Sequence, residues 1–497
     1  MTGRELAAGM RWHGRSDALY IGGQWVAADS SAAIDVVSPV TEQVIATVPS
    51  ASEADIDRAV AAARKAFDEG PWPRMQLGER IGVLQRLRDA LEARQDELAE
   101  LITEEMGCPI TLSRWMQAGV PRLVLEAFLE LAPTYPFSQL RRSATTAALV
   151  TREPVGVVAA VVPWNTPLST TIMKLAPALL AGCAVVLKPA PETPLDAYFL
   201  AELLEAAGLP PGVVNVTPAD REVSEHLVTR PGVDKVAFTG STAAGRRIAS
   251  LCGNDLRRVT LELGGKSAAI VLDDADFDAT VESLRLGSFR NTGQICSNKT
   301  RILVSRRREP ELLERLLEMV RSMPVGDPRD PDTQIGPLVS ARQRDRVEGY
   351  IEIGRAEGAT VAIGGGRPAA IDRGWFVEPT VFTSVEPDMR IAQEEIFGPV
   401  VAVLAYKDDD HAIALANDSE YGLNGSVFTS DFDHGLAIAR QVRTGTVELG
   451  GSPAGFQAPM GGFKASGIGR EAGVEGFDAY VEPKSIGLPV AFADTLA

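Results

Sequence analysis

The sequence predicts an α/β protein with two doubly wound domains, and two observations lead to this fold class. From Val155 onward, short β-branched runs alternate with helical stretches, and the runs are apolar on both faces, as parallel strands covered by helices are. The same pattern then repeats in a second set of runs. A length of 497 residues allows roughly three domains of about 150 residues each, so a single small module is excluded.

The N-terminal part is predicted to be mostly helical after a short strand pair around Leu19 to Val26. Ser52 and Asp55 have the spacing of a capping box, which predicts a helix from Glu53. A longer amphipathic run ends near Gly107. Its apolar stripe consists of Ile81, Leu84, Leu91, Leu98 and Leu101.

The first set of predicted strands covers 156–162, 184–187, 213–216 and 235–238. The second set covers 267–272, 301–304, 360–363, 400–405 and 446–449, and the boundary between the two sets is predicted near Gly264 and Gly265. Two segments fit neither set, namely 141–152 and the tail from Tyr480, whose Pro and Gly residues predict a poor helix. We expect both segments to be arms that pair with another subunit.

Composition and charge exclude several classes of protein. Hydrophobic and charged fractions of 45% and 23% are those of an ordinary globular chain, so disorder, collagen and coiled coil are excluded. Lys and Arg number 49 against 66 Asp and Glu, which gives a net charge of −17 and repels phosphate backbones. We therefore expect no nucleic acid partner.

The cysteines and the apolar segments predict the cellular compartment. The four cysteines are scattered, with no C-x-x-C pair, at Cys108, Cys183, Cys252 and Cys296. This pattern argues against a disulfide framework or a thiolate zinc site, and no metal is expected. The apolar stretch 175–187 is too short to span a bilayer, and the N-terminus, with Arg4, Glu5 and Arg11, lacks an apolar signal segment. A soluble, cytoplasmic protein with no membrane partner is expected.

Cys296 is the candidate nucleophile because it lies in a polar, Gly-containing segment, 291–298, ahead of a predicted strand. Cys183 and Cys252 have apolar neighbours and are predicted to be small buried hydrophobes. A thiol attacks as the thiolate and needs a partner that takes its proton. The four histidines, none of which lies in a motif, are predicted to be surface residues: His13, His226, His411 and His434. A Cys–His hydrolase is therefore disfavoured.

Glu262 is the alternative base, since it stands between two leucines and is followed by two glycines that permit close approach. The structural alternative is a strand residue paired with Lys266. The segment 238–245 follows a predicted strand and opens a helix, which suits phosphate binding or an ordinary capped turn. Lys188 follows the predicted strand 184–187, where a ribose or phosphate could bind.

Seven short motifs, in this order, resemble the aldehyde dehydrogenase superfamily of the NAD(P)-dependent, non-CoA-acylating type over nearly the whole chain. They are Pro163-Trp-Asn165, Lys188-Pro189, Gly240-Ser-Thr-Ala-Ala-Gly245, Glu262-Leu-Gly-Gly-Lys266, Gly293-Gln-Ile-Cys296, Glu394-Glu-Ile-Phe-Gly-Pro399 and Gly462-Phe-Lys-Ala-Ser-Gly467. The resemblance implies two Rossmann-like domains and a small β-arm oligomerisation domain. The dinucleotide-binding domain would comprise 1–131 and 154–264, the catalytic domain 265–465, and the oligomerisation arms 132–153 and 479–497.

The resemblance also implies the catalytic roles. Cys296 would add to the aldehyde carbonyl, and the oxyanion would be held by the Asn165 side-chain amide and the Cys296 backbone N–H. Hydride transfer to NAD would leave a thioester on Cys296. Glu262 would then activate the water that releases the acid.

For the cofactor, the resemblance implies one residue for each part of the dinucleotide. Lys188 would bind the adenosine ribose, Trp164 and Ser241 the pyrophosphate, Gly240 and Gly245 would permit close backbone approach, Glu395 would hold the nicotinamide ribose and Phe397 would lie against the ring. A helix-capping role is the structural alternative for Glu395. Pro191 stands where NAD-preferring relatives often have Glu, with Glu192 next. NAD is favoured and NADP stays an alternative cofactor.

The substrate pocket implied by the resemblance is uncharged. Its candidate residues, which could also be mere packing residues, are Thr170, Met173, Ile295, Ser297 and Met460. The lack of a charged side chain favours an uncharged, fairly apolar small-molecule aldehyde over a dicarboxylic semialdehyde that needs an Arg clamp. A CoA-acylating enzyme, a thiol esterase and a catalytically silent binding protein are alternatives, and the presence of Glu262 counts against the first. A homodimer or homotetramer is expected.

Overall fold

The computed structural model describes residues 14–496, which alternate between strands and helices. The strands are β1 (Leu19–Ile21), β2 (Gln24–Val26), β3 (Ala33–Val37), β4 (Val44–Pro49), β5 (Ser138–Arg142), β6 (Ala147–Pro154), β7 (Val157–Val161), β8 (Ala184–Lys188), β9 (Val214–Val216), β10 (Lys235–Thr239), β11 (Arg258–Glu262), β12 (Ser267–Val271), β13 (Lys299–Ser305), β14 (Thr360–Ile363), β15 (Thr380–Thr383), β16 (Val400–Tyr406), β17 (Gly425–Phe428), β18 (Glu448–Leu449), β19 (Gly467–Ile468) and β20 (Val481–Leu488). The helices are α1 (Glu53–Asp68), α2 (Leu77–Ala93), α3 (Gln95–Met106), α4 (Ile110–Leu112), α5 (Val120–Leu131), α6 (Pro167–Ala181), α7 (Leu195–Ala206), α8 (Arg221–Thr229), α9 (Thr242–Asn254), α10 (Phe277–Phe289), α11 (Glu309–Arg321), α12 (Ala341–Ala356), α13 (Arg390–Gln393), α14 (Asp409–Asn417), α15 (Phe432–Ala439), α16 (Gly473–Asp478) and α17 (Val490–Ala493).

The first sheet has eight strands in the order β19-β11-β10-β7-β8-β9-β1-β2. Its central strands, from β11 to β9, run parallel, and the strands at its edges pair antiparallel. Strand β7 is apolar and buried along its whole length, because helices cover both faces of a doubly wound sheet. The predicted first set of strands is thus confirmed, and the carboxyl ends of β7, β8, β10 and β11 meet at one edge of the sheet.

The second sheet has seven strands in the order β14-β15-β16-β13-β12-β17-β18. It contains every strand of the predicted second set, together with β15 and β17, which sequence reasoning missed. The chain passes from the first sheet to the second between Glu262 and Ser267, the ends of β11 and β12. This crossing lies at the predicted boundary near Gly264 and Gly265.

The third sheet joins the two segments that fitted neither set. Strand β6 pairs antiparallel with both β5 and β20, in the order β20-β6-β5. The arms therefore pair with each other within the chain, and the tail after Tyr480 is a strand rather than a helix as far as Leu488. Their pairing with another subunit, like the domain limits given above, stays a prediction.

The N-terminal helices follow the sequence prediction with one correction. Ser52 and Asp55 form the capping box of α1, with Asp55 N donating to Ser52 Oγ (3.2 Å) and Ser52 N donating to Asp55 Oδ2 (2.9 Å). The prediction of one continuous helical run up to Gly107 is wrong, because the chain breaks at Arg94 (φ −117°, ψ 22°) into α2 and α3. Gly107, in the left-handed conformation (φ 83°), does end the second helix.

Some predictions fall on parts of the chain that the structure does not describe. His13 and the N-terminal residues Arg4, Glu5 and Arg11 lie outside the described residues. Between residues 14 and 496, none of the helices is both long enough and apolar enough to cross a lipid bilayer.

Candidate active site

Cys296 lies in the tight segment that connects α10 to β13. Ahead of it, Asn291, Thr292 and Gly293 adopt consecutive left-handed backbone conformations, with φ of 53°, 56° and 77°. A side chain at Gly293 would collide with the backbone of Gly398, so this position needs glycine for both its conformation and its close approach. Left-handed conformations at two non-glycine residues cost energy and persist where surrounding contacts enforce them.

Hydrogen bonds from distant segments enforce this conformation. Thr292 Oγ1 accepts from Gly336 N (3.1 Å) and donates to Gly336 O (3.2 Å). Gln294 Oε1 accepts from Val339 N (3.1 Å), and Asn298 Nδ2 donates to Arg290 O (3.2 Å), which closes the loop around Cys296. Cys296, the candidate nucleophile, is therefore held by a rigid loop and is itself half-buried.

Asn165 is tied to the same loop from the other sheet. Its side-chain Nδ2 donates to Gln294 O (2.9 Å), two residues before Cys296. Its backbone carbonyl accepts from Gln117 Nε2 (2.9 Å) and Asn291 Nδ2 (3.1 Å). An amide nitrogen carries two hydrogens, so the bond to Gln294 O leaves the second N–H of Asn165 able to donate to a ligand.

Glu262 is the last residue of β11 and is only 3% exposed. Its Oε1 is buried without a hydrogen-bond partner among the described residues. Burial raises the pKa of Glu262 well above its usual range, the carboxylate of Glu471 raises it further, and Lys174 and Arg470 oppose the rise. Such a carboxyl can take a proton near neutral pH, as a general base must.

The suggested pairing of Glu262 with Lys266 is not found. Lys266 is buried, and within residues 14–496 its Nζ has no hydrogen-bond partner. The glycines between the two residues serve close packing instead: Gly264 lies against the Glu395 carboxylate and Gly265 against the Cys296 carbonyl oxygen. The Glu262 segment thus lies directly beside the nucleophile loop.

The surroundings of Cys296 oppose ionisation of its thiol. Burial raises the pKa of Cys296 to about 12, the carboxyls of Glu395 and Glu262 also raise it, and Arg290 lowers it. None of the three described histidines serves the thiol. His226 binds Asp57, His434 binds Asp409, and His411 Nδ1 accepts from Lys407 N.

Two residues are implied for the nicotinamide half of the cofactor, Glu395 and Phe397, and the second of them lies against Trp164, which is implied for the pyrophosphate. The rings of Trp164 and Phe397 meet edge to face, with centroids 5.3 Å apart. Glu395 Oε1 accepts from Gly265 N (2.9 Å), and burial raises the pKa of Glu395 to about 7. Helix α13 ends at Gln393, with Glu394 as its C-cap, so Glu395 is not a helix-capping acid.

The residues implied for the other half of the cofactor lie at the carboxyl edge of the first sheet. Ser241 is the N-cap of α9, and its Oγ accepts from Ala244 N (3.3 Å). Gly240 precedes it, and Gly245 packs so closely on Leu263 that a Cβ would not fit. Free N–H groups at a helix N-terminus suit phosphate.

Lys188 ends β8 at the same edge. It is buried, and no hydrogen bond or ion pair of its Nζ is found in the part of the chain that the structure describes. Burial lowers the pKa of Lys188 to about 8, and Glu192 and Asp220 oppose the fall. A buried ammonium without a partner calls for an acceptor from a ligand, so these residues fit a dinucleotide.

The implied pocket residues lie on three segments. Thr170 and Met173 are buried on α6, and Met173 shares one apolar cluster with Ile295. Ser297 follows Cys296 and is half-buried. Met460 is 38% exposed and pairs with the backbone of Glu471 through two 2.7 Å hydrogen bonds.

Sequence reasoning missed one residue of this site. Arg290, the residue after α10, donates through Nη2 to Ser297 Oγ (3.4 Å). A charged group therefore lies next to a pocket described above as uncharged. The position of Arg290 immediately before the Cys296 segment could have drawn attention to it. Its contact with Ser297, however, is visible only in the folded structure.

The chain matches the model of the aldehyde dehydrogenase family over residues 25–486. It is 48% identical over 469 residues to the geranial dehydrogenase of Castellaniella defragrans, an alignment that covers 94% of this chain and 98% of that protein. It is 42% identical over 470 residues to the 3-succinoylsemialdehyde-pyridine dehydrogenase of a Pseudomonas species, with 94% and 97% covered.

Two solved structures are similar to this chain in both fold and sequence. The aldehyde dehydrogenase of Mycobacterium tuberculosis complexed with NAD+ has a TM-score of 0.94 and 45% identity, with 97% of this chain and 99% of that chain covered. A mutant of aldehyde dehydrogenase C from Pseudomonas syringae, complexed with NAD+ and octanal, has a TM-score of 0.93 and 40% identity, with 97% and 98% covered. By the matched family, the shared fold and these identities, the chain belongs to the aldehyde dehydrogenase family.

Proposed function

We propose that this protein oxidises an uncharged, fairly apolar aldehyde to its carboxylic acid with NAD, through a covalent intermediate on Cys296. The main support for the proposal is that Asn165 and the Glu262 segment both contact the loop that contains Cys296. Asn165 donates to Gln294 two residues before Cys296, and the segment that begins with Glu262 packs on the Cys296 carbonyl. These contacts support a site in which Cys296 is the nucleophile, Asn165 the oxyanion donor and Glu262 the base.

In the first step the Cys296 thiolate adds to the aldehyde carbon, and the electron pair of the C=O bond moves to the oxygen. The resulting oxyanion needs donors that are already in place. The second N–H of Asn165 and the backbone N–H of Cys296 supply them. Because Gln294 and Gln117 hold Asn165, these donors need little reorganisation.

In the second step the thiohemiacetal collapses, restores the C=O bond and expels a hydride from the same carbon. NAD, when bound, supplies the acceptor for that hydride. A thioester remains on Cys296. The residues that would hold the cofactor are those that lie along the carboxyl edge of the first sheet and beside the nucleophile loop: Lys188, Gly240, Ser241, Gly245, Trp164, Glu395 and Phe397.

In the third step Glu262 takes a proton from water, whose oxygen bonds to the thioester carbon. The C–S bond then breaks, the carboxylic acid leaves and Cys296 is released as its thiolate. The raised pKa of Glu262 suits this task, because a base near neutral pH combines an available carboxylate with a useful driving force. A CoA-acylating enzyme would replace this water with a thiol. The position of Glu262 beside Cys296 favours hydrolysis.

The preference for NAD is supported by Glu192. This carboxylate lies close enough to Lys188 to oppose the fall in the lysine's pKa, and it binds Arg342 at 3.0 Å. A 2′-phosphate near Lys188 would be repelled by it. Both similar structures named above are NAD+ complexes.

The preference for an apolar aldehyde is supported by the buried Met173 and Ile295. The names of two similar proteins point the same way, one acting on geranial and one complexed with octanal.

For the protein as a whole we propose a cytoplasmic homodimer or homotetramer in which the sheet formed by β5, β6 and β20 is the contact between subunits.

A panel of aldehydes, assayed with NAD and NADP separately, tests this function. We expect NADH formation with medium-chain and branched apolar aldehydes, weak turnover of a semialdehyde that carries a carboxylate, and at least tenfold higher kcat/KM with NAD than with NADP. Cys296→Ala is the matched inactive control. No NADH from any aldehyde would refute the function, and a preference for the carboxylated substrate would refute the substrate class.

A further inference from the structure

Arg290 is a cation built into the base of the nucleophile loop, and the proposed reaction gives it no role. It directly follows α10, and its backbone carbonyl accepts from Asn298 Nδ2 (3.2 Å), so the backbone at both ends of the loop is joined. Its side chain turns to the same loop, with Nη2 donating to Ser297 Oγ (3.4 Å). The guanidinium therefore lies against the residue that follows Cys296.

The Arg290 side chain has donors that no acceptor fills. Its Nε is buried and has no hydrogen-bond partner among residues 14–496. A guanidinium carries five N–H donors and keeps its charge at any ordinary pH. A partly buried cation with an unfilled donor is costly, and its charge acts on the groups around it more strongly than it would in open water.

The nearby acid does not neutralise Arg290. Glu448 binds Lys299 Nζ through Oε2 (2.6 Å) and Asn424 Nδ2 through Oε1 (2.9 Å). Lys299 is itself buried, with 5% of its side chain exposed. One carboxylate thus stands between two cations, so this group, made of Arg290, Lys299 and Glu448, has a net positive charge next to Cys296.

The other charged groups that face Cys296 are acids. Glu395 lies in the loop between α13 and β16 and Glu262 at the end of β11, and both disfavour a negative charge on the sulfur. Arg290 acts in the opposite direction. With no described histidine at the thiol, the thiolate needs a cation from elsewhere.

We propose that Arg290 is a positioning residue that holds a positive charge beside Cys296 and so favours its reactive thiolate, while its bond to Ser297 orients the loop. The thiol proton passes to solvent or to Glu262, and the remaining negative charge on sulfur is balanced by the guanidinium. The bond from Nη2 to Ser297 Oγ (3.4 Å) holds the guanidinium against the residue that follows Cys296, so Arg290 acts on the nucleophile. This inference rests on Cys296 being the nucleophile of the proposed reaction.

The rate of alkylation of Cys296 by iodoacetamide, measured against pH without aldehyde or cofactor, tests the proposal. The modified peptide is identified by mass spectrometry, and Cys296→Ala supplies the background from the other three cysteines. Removing a unit charge beside a half-buried thiolate changes the acidity of its thiol about tenfold or more. We expect Arg290→Met to shift the midpoint of the profile upward by about one pH unit or more and to slow alkylation at pH 8 about tenfold.

Two variants separate charge from structure. Arg290→Lys keeps a cation and should restore most of the wild-type profile. Arg307→Met also removes one positive charge, but Arg307 is 75% exposed and lies beyond the far end of β13, about 20 Å along the strand from Cys296. Its alkylation profile should match the wild type.

If Arg290→Met does not fold, a third variant tests whether the positive charge affects the acidity of the Cys296 thiol. Glu448→Gln removes the acid between the two cations and should lower the midpoint. An unchanged midpoint in folded Arg290→Met, or an unchanged or higher midpoint in Glu448→Gln, overturns the proposal. Since alkylation requires neither aldehyde nor NAD, this result does not depend on whether the enzyme oxidises aldehydes.

Discussion

The buried ion pair between Lys174 and Glu471 lies near Glu262, the proposed base, and its removal tests how the surroundings of Glu262 are stabilised. Lys174 Nζ also donates to Thr239 Oγ1 (2.7 Å), and the two charged side chains are 0% and 3% exposed. Lys174→Met would leave the Glu471 carboxylate buried without its cation. We expect the free energy of unfolding to fall by about 3–5 kcal/mol, the usual cost of breaking a fully buried pair.

The double variant Lys174→Met/Glu471→Leu removes both charges and retains most of the volume. Because desolvation of the pair offsets most of its attraction, the double variant should lie within about 2 kcal/mol of the wild type. Lys484→Met is the surface control. Lys484 binds Glu153 with side chains that are 56% and 49% exposed, and water screens such a pair to below about 1 kcal/mol.

Urea titrations followed by tryptophan fluorescence, with refolding checked at each point, give the three free energies. We expect Lys174→Met to have by far the lowest free energy of unfolding, and Lys484→Met and the double variant to be close to the wild type. If Lys174→Met cost no more than Lys484→Met, the pair would not be buried as described. The reasoning about the surroundings of Glu262 would then fail with it.

The remaining predictions concern catalysis and cofactor binding. Asn165→Ala should lower kcat/KM about 10²–10³-fold, the usual loss for one oxyanion donor, with NAD affinity unchanged; a loss below tenfold would remove Asn165 from this role. Glu192→Gln should improve NADP relative to NAD about tenfold in kcat/KM, since a repelling charge near Lys188 is gone; an unchanged ratio would assign cofactor choice elsewhere. Burial raises the pKa of Glu395 to about 7, so the carboxylate proposed to accept the ribose hydroxyls is lost as pH falls below this value. The KM for NAD should therefore rise between pH 8 and pH 6, and Glu395→Gln should abolish this dependence; an equal rise in the variant would contradict it.

Local signals in the sequence predicted most elements but not their breaks. The apolar stripe of α2 and α3 continues across Arg94 because Leu91 and Leu98 are seven residues apart, a spacing that keeps them on one face of an unbroken helix. Strands β15 and β17 have four residues each, and length alone does not explain why they were missed, since β14 has the same length and was predicted. In the folded sheet they pair with β16 and β12.

Contacts between residues far apart in the chain determine the features that the sequence analysis did not predict. The partner of β6 is β20, more than 300 residues later, and no local pattern specifies such a pairing. The Cys296 motif was readable, but its left-handed backbone depends on Gly336 and Val339. Arg290 was passed over for the same reason, since its contact with Ser297 exists only once the loop has folded.

The most direct test of the account is the mass of Glu262→Gln enzyme after a single mixing with NAD and excess aldehyde. Without the base, the acyl group should remain on Cys296, so the protein should gain the mass of the aldehyde less two hydrogen atoms, with one NADH formed per adduct. The adduct should map to the Cys296 peptide and be absent from Cys296→Ala. NADH formation without that adduct, or an adduct on another residue, would contradict the covalent mechanism.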